Sequence, residues 1–241
     1  MRRVVFRLPN YYGFFSFQIL IHTHHIPSLW GRVGMGPHMQ ITLTNTGKRY
    51  NREWIFRHLD YGFTDGKKYA ITGPNGSGKS TLLQVIAGAI THNEGTIRIV
   101  HNSKLLPEEN LYKHIAIAAP YLELVEEMTA NEFLSFHEQF KYFTCSKEEI
   151  LDAVSLQKAS NKQIRYYSSG MKQRLKLAQA FFCTSPVILL DEPTTNLDAD
   201  GIALYHQLIT DHTSDKLVII SSNDRQEYDF CEEVVEIGNY K

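Results

Sequence analysis

Hydrophobic and polar positions change their period repeatedly from residue 39 onward. Short runs that alternate apolar with polar residues, or that are apolar throughout, are typical of half-buried and fully buried strands. Apolar residues three and four positions apart are typical of helices that bury one face. We predict strands at 40–46, 54–63, 67–72, 95–100, 114–120, 186–191, 216–222 and 233–238, and helices at 81–90, 169–183, 199–213 and 224–231.

The stretch 129–165 differs from its surroundings, because no strand pattern interrupts it. Thr129 is followed three residues later by Glu132, and Ser146 is followed in the same way by Glu149. In this capping-box spacing, the hydroxyl and the carboxylate satisfy backbone N–H groups at the start of a helix. We therefore predict an insert of two or three helices.

Apolar strands that alternate with helices indicate a largely parallel sheet that is covered on both faces. The predicted fold class is α/β, with a mostly parallel sheet flanked by helices, a small antiparallel β part and the helical insert. Trp54, Phe56 and Phe63 are expected to be core residues of the early strands.

The composition fits an ordinary globular protein with one large domain or two small ones. The 241 residues are 43% hydrophobic and carry a net charge of −1. The chain therefore has no overall positive charge that would attract nucleic acid, and we expect no nucleic acid partner. After residue 38, no apolar run approaches the length of a membrane-spanning helix. Cys145, Cys183 and Cys231 lie far apart, which favours reduced structural thiols in a cytosolic protein.

Residues 1–38 have a composition of their own, with four Arg, four His and no acidic residue. One interpretation is a signal-like or membrane-touching segment around the apolar run 14–21, although that run is too short to span a bilayer. A second is a disordered extension. The favoured interpretation is sequence upstream of a misplaced start, with Met39 as the working first residue, because regular strand patterning begins there.

The stretch GPNGSGKST fits the P-loop pattern and lies between a predicted strand and a predicted helix. Its glycines allow successive backbone N–H groups to surround phosphate oxygens, Lys79 supplies a positive charge to them, and Ser80 can ligate Mg²⁺. The context favours a nucleotide site over a chance glycine-rich turn. The candidate nucleotide-binding residues here are Gly73, Pro74, Asn75, Gly76, Ser77, Gly78, Lys79, Ser80 and Thr81.

Two acidic residues follow the continuous apolar stretch 187–190. Ligands of open α/β sheets bind at the carboxyl ends of the strands, which is where Asp191 and Glu192 fall. Asp191 suits the role of a Mg²⁺ ligand, and Glu192 is placed to accept a proton from an attacking water. The alternative is a strand that simply ends in two solvated acids.

A third motif opens the predicted helix 169–183, where Ser168, Ser169 and Gly170 come first. Small hydroxyl residues and glycine at a helix start favour binding of an anion. The neighbouring sequence contains no other obvious ligand-binding residue.

With GPNGSGKST, YSSGM at 167–171 and ILLDEPTTNLD at 188–198 in this order, residues 39–241 resemble the ATP-binding subunits of ABC transporters. The sequence SSGMKQRL, residues 168–175, is most similar to that of the small ATPases of the ABC-2 and haem-exporter group. The resemblance implies a P-loop NTPase fold with a signature-bearing helical subdomain at about 121–175. It also implies that Tyr50 stacks on adenine, that Ser168, Ser169 and Gly170 bind the γ-phosphate of an ATP held by another subunit, and that Asp198 contacts that subunit.

Two residues depart from the family pattern. Tyr121 stands where the family usually has a Gln near Mg²⁺ and the attacking water, and Asn223 stands at the switch His. An Asn amide can donate a hydrogen bond to the γ-phosphate, but it cannot take up a proton as His can. Because Glu192, Asp191 and Lys79 are all present, we expect active, if slow, hydrolysis.

The predicted function is that of an ATPase that uses ATP and Mg²⁺ and couples ATP binding and hydrolysis to transport. Two such chains, identical or different, are expected to pair head to tail and to drive a separate integral membrane permease from the cytoplasmic face of the cell membrane. The expected catalytic residues are Glu192, Lys79 and Asn223. Three alternatives stay open: a soluble, non-transport ABC ATPase, a binding-only cassette that pairs with a catalytic one, and a small-molecule P-loop kinase.

Overall fold

The computed structural model describes residues 39–241, so the prediction for residues 1–38 lies outside the described part. The described chain forms two β-sheets and a group of helices. The strands are β1 (Met39–Tyr50), β2 (Glu53–Thr64), β3 (Lys68–Thr72), β4 (Glu94–His101), β5 (Lys104–Leu105), β6 (Ile115–Ala118), β7 (Val187–Asp191), β8 (Leu217–Ser221) and β9 (Glu233–Glu236). The α-helices are α1 (Lys79–Ile86), α2 (Leu111–His114), α3 (Ala130–Glu138), α4 (Lys147–Ala153), α5 (Ser169–Phe181) and α6 (Ala199–His212).

The larger sheet is parallel, with the strand order β6-β7-β8-β3-β9. Every residue of β7 and β8 is buried, which explains why these segments are apolar throughout. Because the strands are parallel, β3, β7 and β8 end at the same edge. The segments that follow them are the P-loop, the acidic pair and the Asn223 loop, which therefore meet at that edge.

The smaller sheet is antiparallel, with the order β2-β1-β4-β5. Phe56 and Phe63 are fully buried, as predicted, but Trp54 is only partly buried. Its ring lies across Gly47, where an added Cβ would come within 2.9 Å of the ring, and the guanidinium of Arg57 lies 4.5 Å from the ring centroid. Trp54 therefore packs on the surface of the sheet against a cation. The α/β class with a mostly parallel sheet and a small antiparallel part is confirmed.

Both predicted capping boxes are present. Thr129 Oγ1 accepts a hydrogen bond from the backbone N–H of Glu132 at 3.2 Å, and the carboxylate of Glu132 accepts one from the backbone N–H of Thr129 at 2.8 Å. Ser146 and Glu149 form the same pair at the start of α4. Helices α3 and α4 pack against α5 in one hydrophobic cluster with β6 and β7.

Two predicted helices are shorter in the structure. The helix predicted at 81–90 ends at Ile86, because Gly88 adopts a left-handed φ of 72°. The helix predicted at 224–231 is wrong. A single 3-10 turn, Arg225–Glu227, replaces it, capped by the Asp224 side chain, which accepts from the N–H of Gln226 at 3.0 Å. Local hydrogen bonds of this kind compete with the helical pattern.

His137 predicts a pH dependence of stability. Burial, with a smaller contribution from Lys141, lowers the pKa of His137 from 6.5 to about 4, and the ring lies 4.5 Å from that of Phe133. The unfolded chain therefore takes up this proton first as the pH falls below 6.5, and the native state loses about 3 kcal/mol of stability by pH 4. His137→Leu should remove this loss.

Urea unfolding at pH 7 and pH 4.5 measures the effect. The difference between wild type and His137→Leu should depend on pH. An equal change at both pH values would contradict the assignment.

Candidate functional site

The P-loop curls between β3 and α1 through three glycines in the positive-φ region. Gly73, Gly76 and Gly78 have φ values of 144°, 77° and 106°. At Gly78 a Cβ would also lie 2.4 Å from Cγ2 of Ile55, which approaches the loop from β2. Only glycine meets both requirements at this position. The antiparallel sheet therefore packs directly against the loop.

Lys79 begins α1, and its side chain folds back over the loop. Its Nζ donates to the carbonyl oxygen of Gly73 at 2.8 Å, and the residue is 5% exposed. The ammonium is thus held against the backbone of the P-loop, where it can pair with a phosphate. A cavity of about 230 Å³ opens there. It is lined by Ile55, Asn75, Gly76, Gly78, Lys79, Ser80, Thr81 and Glu192.

Asp191 ends β7 beside the P-loop and is 2% exposed. Burial raises the pKa of its carboxyl group, and the neighbouring hydroxyls of Ser80 and Ser221 limit the rise. Within residues 39–241, Asp191 Oδ1, Ser221 Oγ and Ser77 Oγ are buried without a hydrogen-bond partner. Polar atoms are seldom left so in a folded protein. This donor set fits Mg²⁺ beside Asp191 and Ser80, and a phosphate beside Ser77.

Glu192 follows in a left-handed backbone conformation, with φ of 42°. Its N–H donates to the carbonyl oxygen of Ser221 at 2.9 Å, and its side chain lines the cavity with Lys79. Non-glycine residues adopt this conformation at a cost of about 1–3 kcal/mol, usually at functional sites.

The structure brings the two departures from the family pattern to the same edge. Burial, and then the negative charge of Asp191, raise the pKa of Tyr121 to about 12, while Gln84 of α1 opposes this. Its phenol therefore keeps its proton at neutral pH. Asn223 Nδ2 donates to Asn75 Oδ1 of the P-loop at 3.0 Å.

Tyr50 lies apart from the cavity at the end of β1. Its ring is 48% exposed, and Lys48 Nζ lies 5.0 Å from the ring centroid. The Lys48 ammonium is fixed in place by the carbonyl oxygen of Thr91, at 2.7 Å. The exposed ring leaves one face for a planar ligand, which stays a prediction.

The signature residues do not join this cavity. Ser168 caps α5 by accepting from the N–H of Met171 at 3.2 Å, and both Ser168 and Ser169 are exposed. None of the residues 168–170 lines the cavity around Lys79. The structure therefore leaves this helix start open to a ligand from outside the chain.

Helix α5 is tied to the segment that follows Glu192. Gln173 donates to the carbonyl oxygen of Pro193 at 2.7 Å, and Arg174 pairs with Asp198 at 3.0 Å. Asp198 also caps α6 by accepting from the N–H of Gly201 at 2.9 Å. The sequence patterns predicted neither tie, because each joins residues about 20 positions apart without a local signal.

Within residues 39–241, no helix is both long and apolar enough to cross a bilayer. The three cysteines are free thiols, as predicted.

Comparisons with known proteins agree with this geometry. The family model described as ABC transporter matches residues 56–195. An ABC transporter ATP-binding protein of Bacillus subtilis, YybJ, is 29% identical and aligns with 83% of this chain and 93% of its own length. The cytochrome c biogenesis ATP-binding export protein CcmA of Rhizobium etli is 32% identical over 76% of this chain and 87% of its own.

A solved structure has the same fold. The dimeric structure of the bacterial ABC transporter cassette MJ0796 superposes with a TM-score of 0.71 at 25% identity, over 82% of this chain and 95% of that one. An ATP-binding protein of a putative ABC transporter from Pyrococcus furiosus superposes with a TM-score of 0.69 at 21% identity, over 84% of this chain and 99% of that one. With its P-loop, acidic pair and signature arranged as described, the chain belongs to the ABC transporter family, as an ATP-binding ATPase.

Proposed function

We propose that this ATPase acts as a head-to-tail dimer and drives a separate integral membrane permease. The observation that supports the dimer is that the signature residues 168–170 do not line the cavity around Lys79. Ser168 and Ser169 are exposed at a capped helix start, and the nucleotide residues are elsewhere. A second chain that presents its own signature would complete the site.

ATP chemistry in the proposed site divides among residues of one chain. The P-loop N–H groups and Lys79 stabilise the negative charge on the transferring phosphoryl group. Glu192 accepts the proton of the attacking water, and its rigid backbone turn keeps the carboxylate at one place. Ser168 and Ser169 of the second chain donate to the γ-phosphate from the opposite side.

Mg²⁺ would be held by Asp191 and Ser80, whose oxygen atoms suit this cation. When bound, it neutralises the charge on the β- and γ-phosphates. Tyr121 lies within the electrostatic influence of Asp191, and because its phenol stays protonated it can donate a hydrogen bond at this edge.

Asn223 is proposed to contact the γ-phosphate through the amide that now bonds Asn75. Asn223→Ala should lower kcat by about 10- to 100-fold, because one preorganised donor to the transition state is lost. Steady-state phosphate release measures it, with Asn161→Ala in the helical insert as the matched control. An unchanged kcat in Asn223→Ala would remove Asn223 from the catalytic set.

An amide does not take up or release a proton between pH 6 and pH 8. The plot of kcat against pH for the wild type should therefore show no titration that arises from residue 223 in this range.

The permease and the position at the inner face of the cell membrane are supported by the relatives, both of which are named as transport or export ATP-binding proteins. Purification of the tagged chain from membranes in mild detergent, with mass spectrometry of the bound proteins, tests this. We expect a polytopic membrane protein in stoichiometric amount. Recovery of the chain only from the soluble fraction, with no membrane subunit, would favour the non-transport ABC ATPase instead.

A further inference from the structure

Glu227 is a buried carboxylate that none of the nucleotide motifs includes. It ends the 3-10 turn after β8 and is 3% exposed. None of the ion pairs within residues 39–241 involves it. A buried carboxylate without a cation is costly unless its hydrogen bonds compensate. Its hydrogen-bond partners therefore indicate what it does.

Those partners belong to the segment just after Glu192. Glu227 Oε1 accepts from the backbone N–H of Thr194 at 2.7 Å and from Thr194 Oγ1 at 2.5 Å. Both are short, charge-assisted bonds to one residue, 33 positions away in the chain. The turn that carries Glu227 is itself fixed, since its backbone carbonyl accepts from the buried hydroxyl of Tyr205 at 2.6 Å.

Thr194 lies inside the turn that orients Glu192. The N–H of Thr195 donates to the carbonyl oxygen of Glu192 at 3.1 Å, and the N–H of Leu197 donates to that of Thr194 at 2.9 Å. Glu192 itself has the left-handed φ of 42°. A strained conformation persists only where the surroundings hold it, and the hydrogen bonds between Thr194 and Glu227 are part of those surroundings.

We propose that Glu227 is a positioning residue for hydrolysis, which holds the Glu192 turn in place by anchoring Thr194. The inference rests on the proposed function, because it assumes that Glu192 serves the attacking water. Glu227 lies four residues after Asn223, so the same short segment carries a nucleotide contact and this anchor. The proposed role is to keep the water-activating carboxylate in register with the loop that contacts the γ-phosphate.

This role predicts an effect on the chemical step and not on ATP binding. Glu227→Gln keeps the size and one acceptor oxygen but loses the charge. It should lower kcat about 10-fold and leave KM for ATP within about twofold. Glu232→Gln is the matched control, because the exposed Glu232 also accepts a backbone N–H, that of Lys68 at 2.6 Å. Its kcat and KM should equal those of the wild type.

A second pair of variants separates positioning from folding. Thr194→Val has the same shape and lacks only the hydroxyl, so it should lower kcat, and Thr194→Ser should restore it. This pair decides the matter if Glu227→Gln does not fold. Melting temperatures and ATP affinities of all variants are measured as well. These measurements distinguish a lower kcat from a smaller amount of folded protein.

The outcomes distinguish this inference from the proposed function. A wild-type protein that releases no more phosphate than Glu192→Gln would end the proposed function itself. An active wild type with unchanged kcat in both Glu227→Gln and Thr194→Val would overturn only the role of Glu227. A raised KM with unchanged kcat, or a lowered melting temperature with unchanged kcat, would overturn it as well.

Discussion

Glu192→Gln should lower kcat for ATP hydrolysis by about 10³-fold, because the substitution removes the carboxylate that accepts the proton of the attacking water. The amide is isosteric, so the turn with φ of 42° and the hydrogen bond to Ser221 should be kept. ATP affinity should therefore stay close to that of the wild type. Single-turnover phosphate release and equilibrium binding of a fluorescent ATP analogue measure the two quantities separately.

Glu192→Gln has a second expected consequence. If ATP is bound but not hydrolysed, the closed head-to-tail dimer should accumulate, and sedimentation should show an ATP-dependent shift from monomer to dimer. Glu236→Gln, in the exposed end of β9, is the control and should behave as the wild type. Residual hydrolysis within about tenfold of the wild type would mean that another group activates the water.

Lys79→Ala should abolish measurable ATP binding, with a loss of affinity of about 100-fold or more. Its Nζ is almost buried and lies within the curl of the P-loop, 2.8 Å from the carbonyl oxygen of Gly73. A charge at the centre of an anion site, shielded from water, contributes far more than an exposed one. Isothermal titration with ATP and Mg²⁺ measures the loss.

Lys67→Ala is the matched control for this variant. Lys67 directly precedes β3, the strand that leads into the P-loop, and it pairs with Glu233 on the surface. It should bind ATP as the wild type does. Wild-type affinity in Lys79→Ala would contradict the assignment of the P-loop as the phosphate site. A melting temperature measured without nucleotide should be similar in both variants, since neither lysine supports the hydrophobic core.

The parts of the fold that sequence reasoning predicted are those with a local signal. The capping boxes at Thr129 and Ser146 use partners three residues apart, and both are present. The P-loop follows β3 and leads into α1, as its closely spaced glycines, lysine and serine predict. In these segments, local sequence and final structure agree.

The parts that could not be predicted depend on contacts between distant segments. The helix expected at 224–231 reduces to one turn, because Glu227 bonds Thr194 and Asp224 caps the turn. The role of Ile55 beside Gly78 follows from the docking of one sheet on another, which no periodicity reveals. An acidic residue in an amphipathic pattern is ordinarily assigned to solvent, so the burial of Glu227 carried no signal either.

The central claim is that the signature of one chain completes the ATP site of another, and a mixing experiment tests it most directly. Lys79→Ala cannot bind ATP, and Ser169→Arg blocks the signature while leaving the Ser168 cap in place. Each variant alone should be inactive. In an equimolar mixture, about half of the dimers would be mixed, and each would contain one intact site, formed by the P-loop of one chain and the signature of the other. We predict phosphate release at about a quarter of the wild-type rate in the mixture, and a mixture no more active than its two components would contradict the account.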